Sequence, residues 1–196
     1  PYLYDPKRGL TPLPFAAAGA LDAPVDIVAR EVRVKSHDGV EVPLSIISRR
    51  DIRLDGSSPA ILYGYGAYGT TEDPFFNPRT YAWLSRGGVY AIAHVRGGGA
   101  FGAEWHMAGR KVTKPNTWKD AIATAEWLVA NGYTSKSKLG IFGGSAGGIF
   151  VGRAITDAGS SFRVLAGCSV CPAMCPEPVE GRWLRQAQPA RAAAQT

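Results

Sequence analysis

No apolar run in this sequence approaches the roughly 20 residues that a membrane-spanning helix requires. The first residues also lack the basic, apolar and small-residue order of a secretory leader, so neither a helical anchor nor secretion is expected. Basic residues exceed acidic ones to give a formal charge of +6, yet no Lys/Arg run concentrates it and no aromatic–basic pattern accompanies it. That excess reads as a solvated surface, and nucleic acid is not an expected partner. Histidine is scarce: His37, His94 and His106 all precede Arg110. Cysteine is confined to Cys168, Cys171 and Cys175. Three thiols with no histidine close by in sequence make a poor zinc site, so free thiols are the expectation, with a metal site or a disulfide as the lesser alternatives. Unpaired thiols without a leader make the cytoplasm the expected location. An initiator Met is absent too, which fits either processing or a piece of a longer protein.

With 196 residues and 45% hydrophobic content the chain can bury one sizeable core, which excludes disordered and fibrous classes. Up to about Ala29 it mixes Pro, Gly and Ala without clear pattern and reads as a join between domains. From Glu31, Val32 and Val34 alternate with polar residues, His37-Asp38-Gly39 supplies a turn, and Val40, Val42, Leu44 and Ile46 resume the alternation. This pattern predicts a hairpin with one buried face. Four short apolar runs follow, Ala60 to Tyr63, Val89 to Val95, Leu139 to Phe142 and Val164 to Ala166, each closed by glycine or a polar loop. Buried parallel strands read this way.

Helical patterns separate the strands. Asn77 to Ser85 forms one helix, and Thr117 with Asp120 resembles a capping box opening another that Gly132 ends. A third follows Ser145, over Ile149 to Ile155. The order predicts an α/β fold with a mostly parallel sheet and an N-terminal β-hairpin. From Cys171 onward the chain is rich in Pro, Ala, Gln and Arg and carries no strand signal.

One segment carries chemistry. Gly143-Gly144-Ser145-Ala146-Gly147-Gly148 lies between an apolar strand and a helix, the setting in which G-x-S-x-G becomes a nucleophile elbow. Small neighbours let the backbone turn tightly enough to project the serine hydroxyl, and the Ala146 amide, at a helix N-terminus, can hold an oxyanion. The same residues also fit a purely structural turn. A phosphate cradle fits less well, since no Walker lysine or dinucleotide glycine spacing is present. A serine nucleophile needs a base, and in this fold the order is Ser, acid, His. No histidine follows Ser145, and Asp157, Glu177 and Glu180 are the acids after it. The three earlier histidines would violate that order, so surface or packing roles are expected of them.

Three further stretches narrow the reading: Tyr63-Gly64-Tyr65-Gly66-Ala67-Tyr68-Gly69; His94-Val95-Arg96-Gly97-Gly98-Gly99 with Gly102, Trp105, His106 and Gly109; and Gly132-Tyr133-Thr134-Ser135. In this order and spacing they resemble the peptidase domain of the prolyl oligopeptidase family, which includes oligopeptidase B, over roughly Glu31 to Gly167. The resemblance implies the N-terminal half of an α/β-hydrolase domain, capped in intact relatives by a β-propeller that admits short peptides. It implies an oxyanion-hole hydroxyl at Tyr65, for which ring packing is the plain alternative. Arg96 can anchor a loop or substrate, or simply hold its turn. The expected division is 1–28 for the end of the propeller side and linker, 29–170 for the partial peptidase domain, and 171–196 for a tail outside the family pattern. Tyr68 and Gly69 lean towards oligopeptidase B.

The expectation is thus a serine peptidase by family, needing neither cofactor nor metal. The nucleophile is Ser145, the oxyanion donors are Tyr65 and the Ala146 amide, and the triad acid and histidine are missing from the chain. An inactive polypeptide is therefore expected, with a serine esterase or a non-catalytic binding module as alternatives.

Overall fold

In the computed structural model, residues 2–13, 24–74 and 77–158 and the backbone of 166–167 are described. The three cysteines, Glu177, Glu180 and the tail from Cys171 lie outside them.

Long alternating and apolar segments assemble one six-stranded sheet. Its strands are β3 (Ile27–Lys35), β4 (Glu41–Arg49), β5 (Ala60–Tyr63), β6 (Val89–Ala93), β7 (Leu139–Phe142) and β8 (Ala166–Gly167), in the order β3-β4-β6-β5-β7-β8. Ladders β6–β5, β5–β7 and β7–β8 are parallel, while β3–β4 and β4–β6 are antiparallel. The expected hairpin is therefore built into the sheet. Its second strand is not half-exposed as the alternation predicts: pairing on both sides leaves Val42, Pro43, Leu44, Ser45 and Ile46 all buried. The run predicted to reach Val95 stops as strand at Ala93, and His94 and Val95 lead into the glycine loop.

The N-terminal stretch is also more ordered than its composition predicts. Strands β1 (Tyr2–Asp5) and β2 (Gly9–Pro12) form a separate antiparallel ribbon. Its turn is closed by the Asp5 carboxylate, which accepts from the amides of Lys7 at 2.8 Å and Arg8 at 2.9 Å. Asp followed by Pro and Gly is the local signal for such a turn.

Among the described residues the α-helices are α1 (Pro78–Leu84), α2 (Ala103–Met107), α3 (Pro115–Ala130) and α4 (Gly147–Ala158). Asn77 caps α1, its side chain accepting from the Arg79 amide. Helix α3 does not begin with a capping box at Thr117. It starts two residues earlier at Pro115, and Thr117 and Asp120 turn inward, both fully buried, because a buried arginine claims them. Leu62, Leu139 and Ile141 meet Ala121, Ala125 and Ala154 of α3 and α4 on one face of the sheet. Alternation sends Tyr90, Tyr63 and Phe142 to the other face, where Tyr63 lies 6.2 Å from Tyr90 and 5.8 Å from Phe142 between ring centres.

Candidate active site

The carboxyl ends of β5 and β7 are adjacent, so the segments leaving them must meet. The Gly64 amide donates to Phe142 O at 3.2 Å as the two strands part. Beyond that point β7 runs through Gly143 and Gly144 into α4, and β5 runs through Gly64 into Tyr65.

Ser145 sits at the turn with φ 51°, inside the left-handed region that a serine adopts only against steric resistance. It is exposed, and its hydroxyl has no hydrogen-bond partner among the described residues. The amides of Gly147, Gly148 and Ile149 donate to the carbonyls of Gly144, Ser145 and Ala146. The Ala146 amide, by contrast, has no backbone acceptor among the described residues.

Glycine is required here by close approach. A Cβ on Gly143 would lie 2.8 Å from both Gly147 O and Gly64 O, and one on Gly147 would lie 3.1 Å from Gly64 O and 3.4 Å from the Tyr65 ring. The elbow therefore rests directly on the Tyr65 segment. Phe150, fully buried in the first turns of α4, holds the two together from beneath, its ring tip 2.5 Å from where a Gly64 Cβ would be. Tyr65 is half-buried and its ring lies 6.4 Å from that of Tyr68, which is strongly exposed and itself at φ 56°.

Behind Tyr65 lies a charged cluster that the local sequence does not announce. Arg96, 3% exposed, donates from its amide to Asp120 at 3.0 Å and from Nε and Nη2 to the same carboxylate at 2.9 and 2.6 Å. Its guanidinium also binds Asp38 at 2.5 Å, and Ser36 Oγ donates to Asp120 at 2.6 Å. Arg96 is thus a loop anchor, joining the β3–β4 turn, the glycine loop and α3. The guanidinium beside Asp38 pulls that carboxyl down to about 2. Burial works against the Arg96 charge, but its two carboxylates hold its pKa above the usual arginine value.

The next residue, Gly97 at φ 97°, packs onto the Tyr65 segment so closely that a Cβ would stand 2.2 Å from Gly66 O. In the sequence alone Asp38 reads as a turn residue and Asp120 as part of a helix cap. A charged residue on the buried side of α3 was the available signal for the second.

The histidines are occupied elsewhere. His94 Nε2 lies 2.8 Å from Ser45 Oγ, and burial lowers its pKa. His106 Nδ1–H donates to Gly97 O at 2.9 Å, and His37 lies 3.2 Å from Ser36 Oγ. None bonds to Ser145 among the described contacts. Asp157 on α4 accepts from Trp118 Nε1 and pairs with Arg153 at 2.9 Å. Among the described residues no cluster of three His, Cys, Asp or Glu is placed to hold a metal, and no helix is long and apolar enough to cross a membrane.

The prolyl oligopeptidase family pattern matches residues 74–174. The chain belongs to the prolyl oligopeptidase family. It is 40% identical to the prolyl endopeptidase of Elizabethkingia meningoseptica, over 68% of this chain and 19% of that protein. Oligopeptidase B from Trypanosoma brucei, solved with covalently bound antipain, matches with a TM-score of 0.69 at 42% identity, over 73% of this chain and 20% of that one. Prolyl oligopeptidase B from Galerina marginata, solved with a 35mer hydrolysis and macrocyclization substrate, matches with a TM-score of 0.67 at 41% identity, over 70% and 20%. The sheet and helices described above are part of the α/β-hydrolase fold of these neighbours. This chain spans about a fifth of the length of such relatives.

Proposed function

We propose that Ser145 is the nucleophile of a serine peptidase site acting on short peptides, with the Tyr65 hydroxyl and the Ala146 amide as its oxyanion donors. The observation that carries this is the elbow itself: an exposed serine at φ 51° between a strand and a helix, seated against the tyrosine segment, with a free amide beside it. Strain at a non-glycine residue is tolerated where the surroundings over-determine it. A tight structural turn would place glycine at that position instead.

In the reaction the Ser145 Oγ–C bond forms at the peptide carbonyl as an imidazole takes the hydroxyl proton. The carbonyl oxygen becomes the oxyanion held by Tyr65 and Ala146. The C–N bond then breaks, the amine leaves with that proton, and water releases the acyl group by the same route.

No histidine follows Ser145 within these 196 residues, and Asp157 is engaged on α4. The polypeptide by itself therefore does not turn over. The division read from the sequence, 1–28 for the propeller side and linker, 29–170 for the peptidase domain and 171–196 for the tail, moves slightly at both joins: strand β3 already begins at Ile27, and the family pattern extends to residue 174. The reading of the three cysteines as free thiols supports a cytoplasmic location.

A fluorophosphonate probe tests this with free imidazole as an external base. Ser145 should label when imidazole is present and not detectably without it, and Ser145→Ala should abolish the signal. Tyr65→Phe should slow labelling by about 10²-fold, the typical loss of one oxyanion donor. A folded sample that stays unlabelled in imidazole would sink the nucleophile assignment. Imidazole-independent turnover of a peptide would sink the claim of a silent chain, and turnover of simple esters alone would favour an esterase.

A further inference from the structure

Lys114 occupies a position hostile to an ammonium group. It precedes Pro115 at the N-terminus of the 16-residue helix α3, where aligned peptide dipoles present positive charge. It is partly buried, burial lowers its pKa, and no carboxylate pairs with it among the described residues. Its ammonium instead donates to the carbonyl of Gly66 at 2.5 Å, one residue after Tyr65. Among the described residues this is the one side-chain hydrogen bond made to the 64–67 turn.

The rest of the first turn of α3 grips the same place. Thr117 Oγ1 donates to Arg96 O at 2.7 Å, and a Cβ on Gly66 would lie 2.3 Å from Thr117 Cγ2. Gly66 itself sits at φ 67°, with few steric limits of its own, so an outside contact must fix the orientation of its peptide.

We propose that Lys114 is a positioning residue: its ammonium, bonded to the Gly66 carbonyl, fixes the turn that aims the Tyr65 hydroxyl at the Ser145 site. The bond is what offsets the dipole and burial costs of a cation at that helix end. This assignment rests on the reading of Tyr65 as an oxyanion donor. The positioning role can nevertheless be measured without catalysis.

The test compares wild type, Lys114→Met and Lys114→Arg by amide hydrogen exchange and by the ring signals of carbon-13 tyrosine, with Tyr65 assigned from Tyr65→Phe. In Lys114→Met, exchange in residues 64–70 should accelerate at least tenfold more than in β4 and β6, and the Tyr65 signal should shift or broaden. Lys114→Arg, which keeps a cationic donor, should restore both. A folded Lys114→Met with unchanged exchange at 64–70 and an unshifted Tyr65 signal overturns the proposal. If Lys114→Met does not fold, Lys114→Gln is judged by the same two readouts. Loss of folding in both also overturns it, since Lys114 would then serve the whole fold. Imidazole-assisted labelling of wild-type Ser145 in the same samples keeps the two readings apart. Its absence counts against the nucleophile, while the exchange result alone decides Lys114.

Discussion

Two regions press on the Tyr65 segment from different sides, and they are built from opposite materials. The elbow at Ser145 is backbone and small residues, exposed, with its geometry enforced by glycines that touch carbonyls. The Arg96 cluster is side chain and charge, with Arg96 and Asp120 both buried and the guanidinium bonded to the carboxylates of Asp120 and Asp38. The first leaves the Ser145 hydroxyl exposed. The second spends no group on reactivity and holds three distant segments in register. The comparison teaches that the exposed site borrows its rigidity from the charged one through the narrow contact of Gly97 with Gly66.

Substituting that contact should give the largest effect. In Gly97→Ala a methyl must enter at 2.2 Å from Gly66 O and 2.8 Å from Gly109 O, both backbone, at φ 97°. Neither neighbour can swing away as a side chain would. A loss of more than about 4 kcal/mol is expected, seen as absence of a cooperative urea transition. A variant that unfolds at the wild-type midpoint would show that the two regions are not coupled through this contact.

Within the charged cluster, Asp120→Asn should come next. It leaves a buried guanidinium facing a neutral amide and should cost about 3–5 kcal/mol, read as a lower urea midpoint at unchanged slope. Asp38 binds the same arginine from a position where its side chain is 35% exposed, so solvent screens the pair. Asp38→Asn should cost only about 1 kcal/mol. The sign with pH follows from its depressed pKa. The stabilisation is complete above the ordinary carboxyl value of 3.8 and is lost as pH falls towards about 2. The gap between wild type and Asp38→Asn should accordingly shrink across that window. A gap that stays constant would mean that Asp38 contributes packing and not charge.

The same contrast explains what the sequence makes legible. Strands β5 and β7 were readable to the residue, and the strand–turn–helix around Ser145 in outline with its helix opening at Gly147 and not Ile149, because their requirements are local: a short apolar run, a glycine pair, a serine, a helix. The family stretches around Tyr65 and Arg96 were readable for the same reason. What bound them was not. Ser36, Asp38 and Asp120 reach Arg96 across separations of 60, 58 and 24 residues, and of the three only Asp120, a charge on the buried side of α3, carries any local sign of a partner. Thr117 and Asp120 even imitated a helix cap, since a hydroxyl followed three residues later by a carboxylate serves a cap and a buried arginine equally well. Likewise β4 read as half-exposed because alternation reports one face, whereas burial of both depended on β6, which lies far along the chain. The N-terminal ribbon was missed for a different reason. Its strands are only four residues each and carry little pattern beyond their turn.

The smallest predicted effect carries the opposite sign and returns to the elbow. Ser145 holds φ 51° although an L-residue there meets its own carbonyl, at a cost of roughly 1–2 kcal/mol. Glycine removes that clash but loses roughly 0.5–1 kcal/mol through its freer unfolded chain. Ser145→Gly should therefore raise stability slightly, by about 0.5 kcal/mol, while Ser145→Ala, which keeps the Cβ, should leave it nearly unchanged. Urea unfolding of the three proteins side by side resolves the order. If Ser145→Gly were destabilising, the left-handed turn would not be a strain imposed for the sake of the hydroxyl. The elbow would then resemble the Arg96 cluster, a region whose residues are chosen for stability alone.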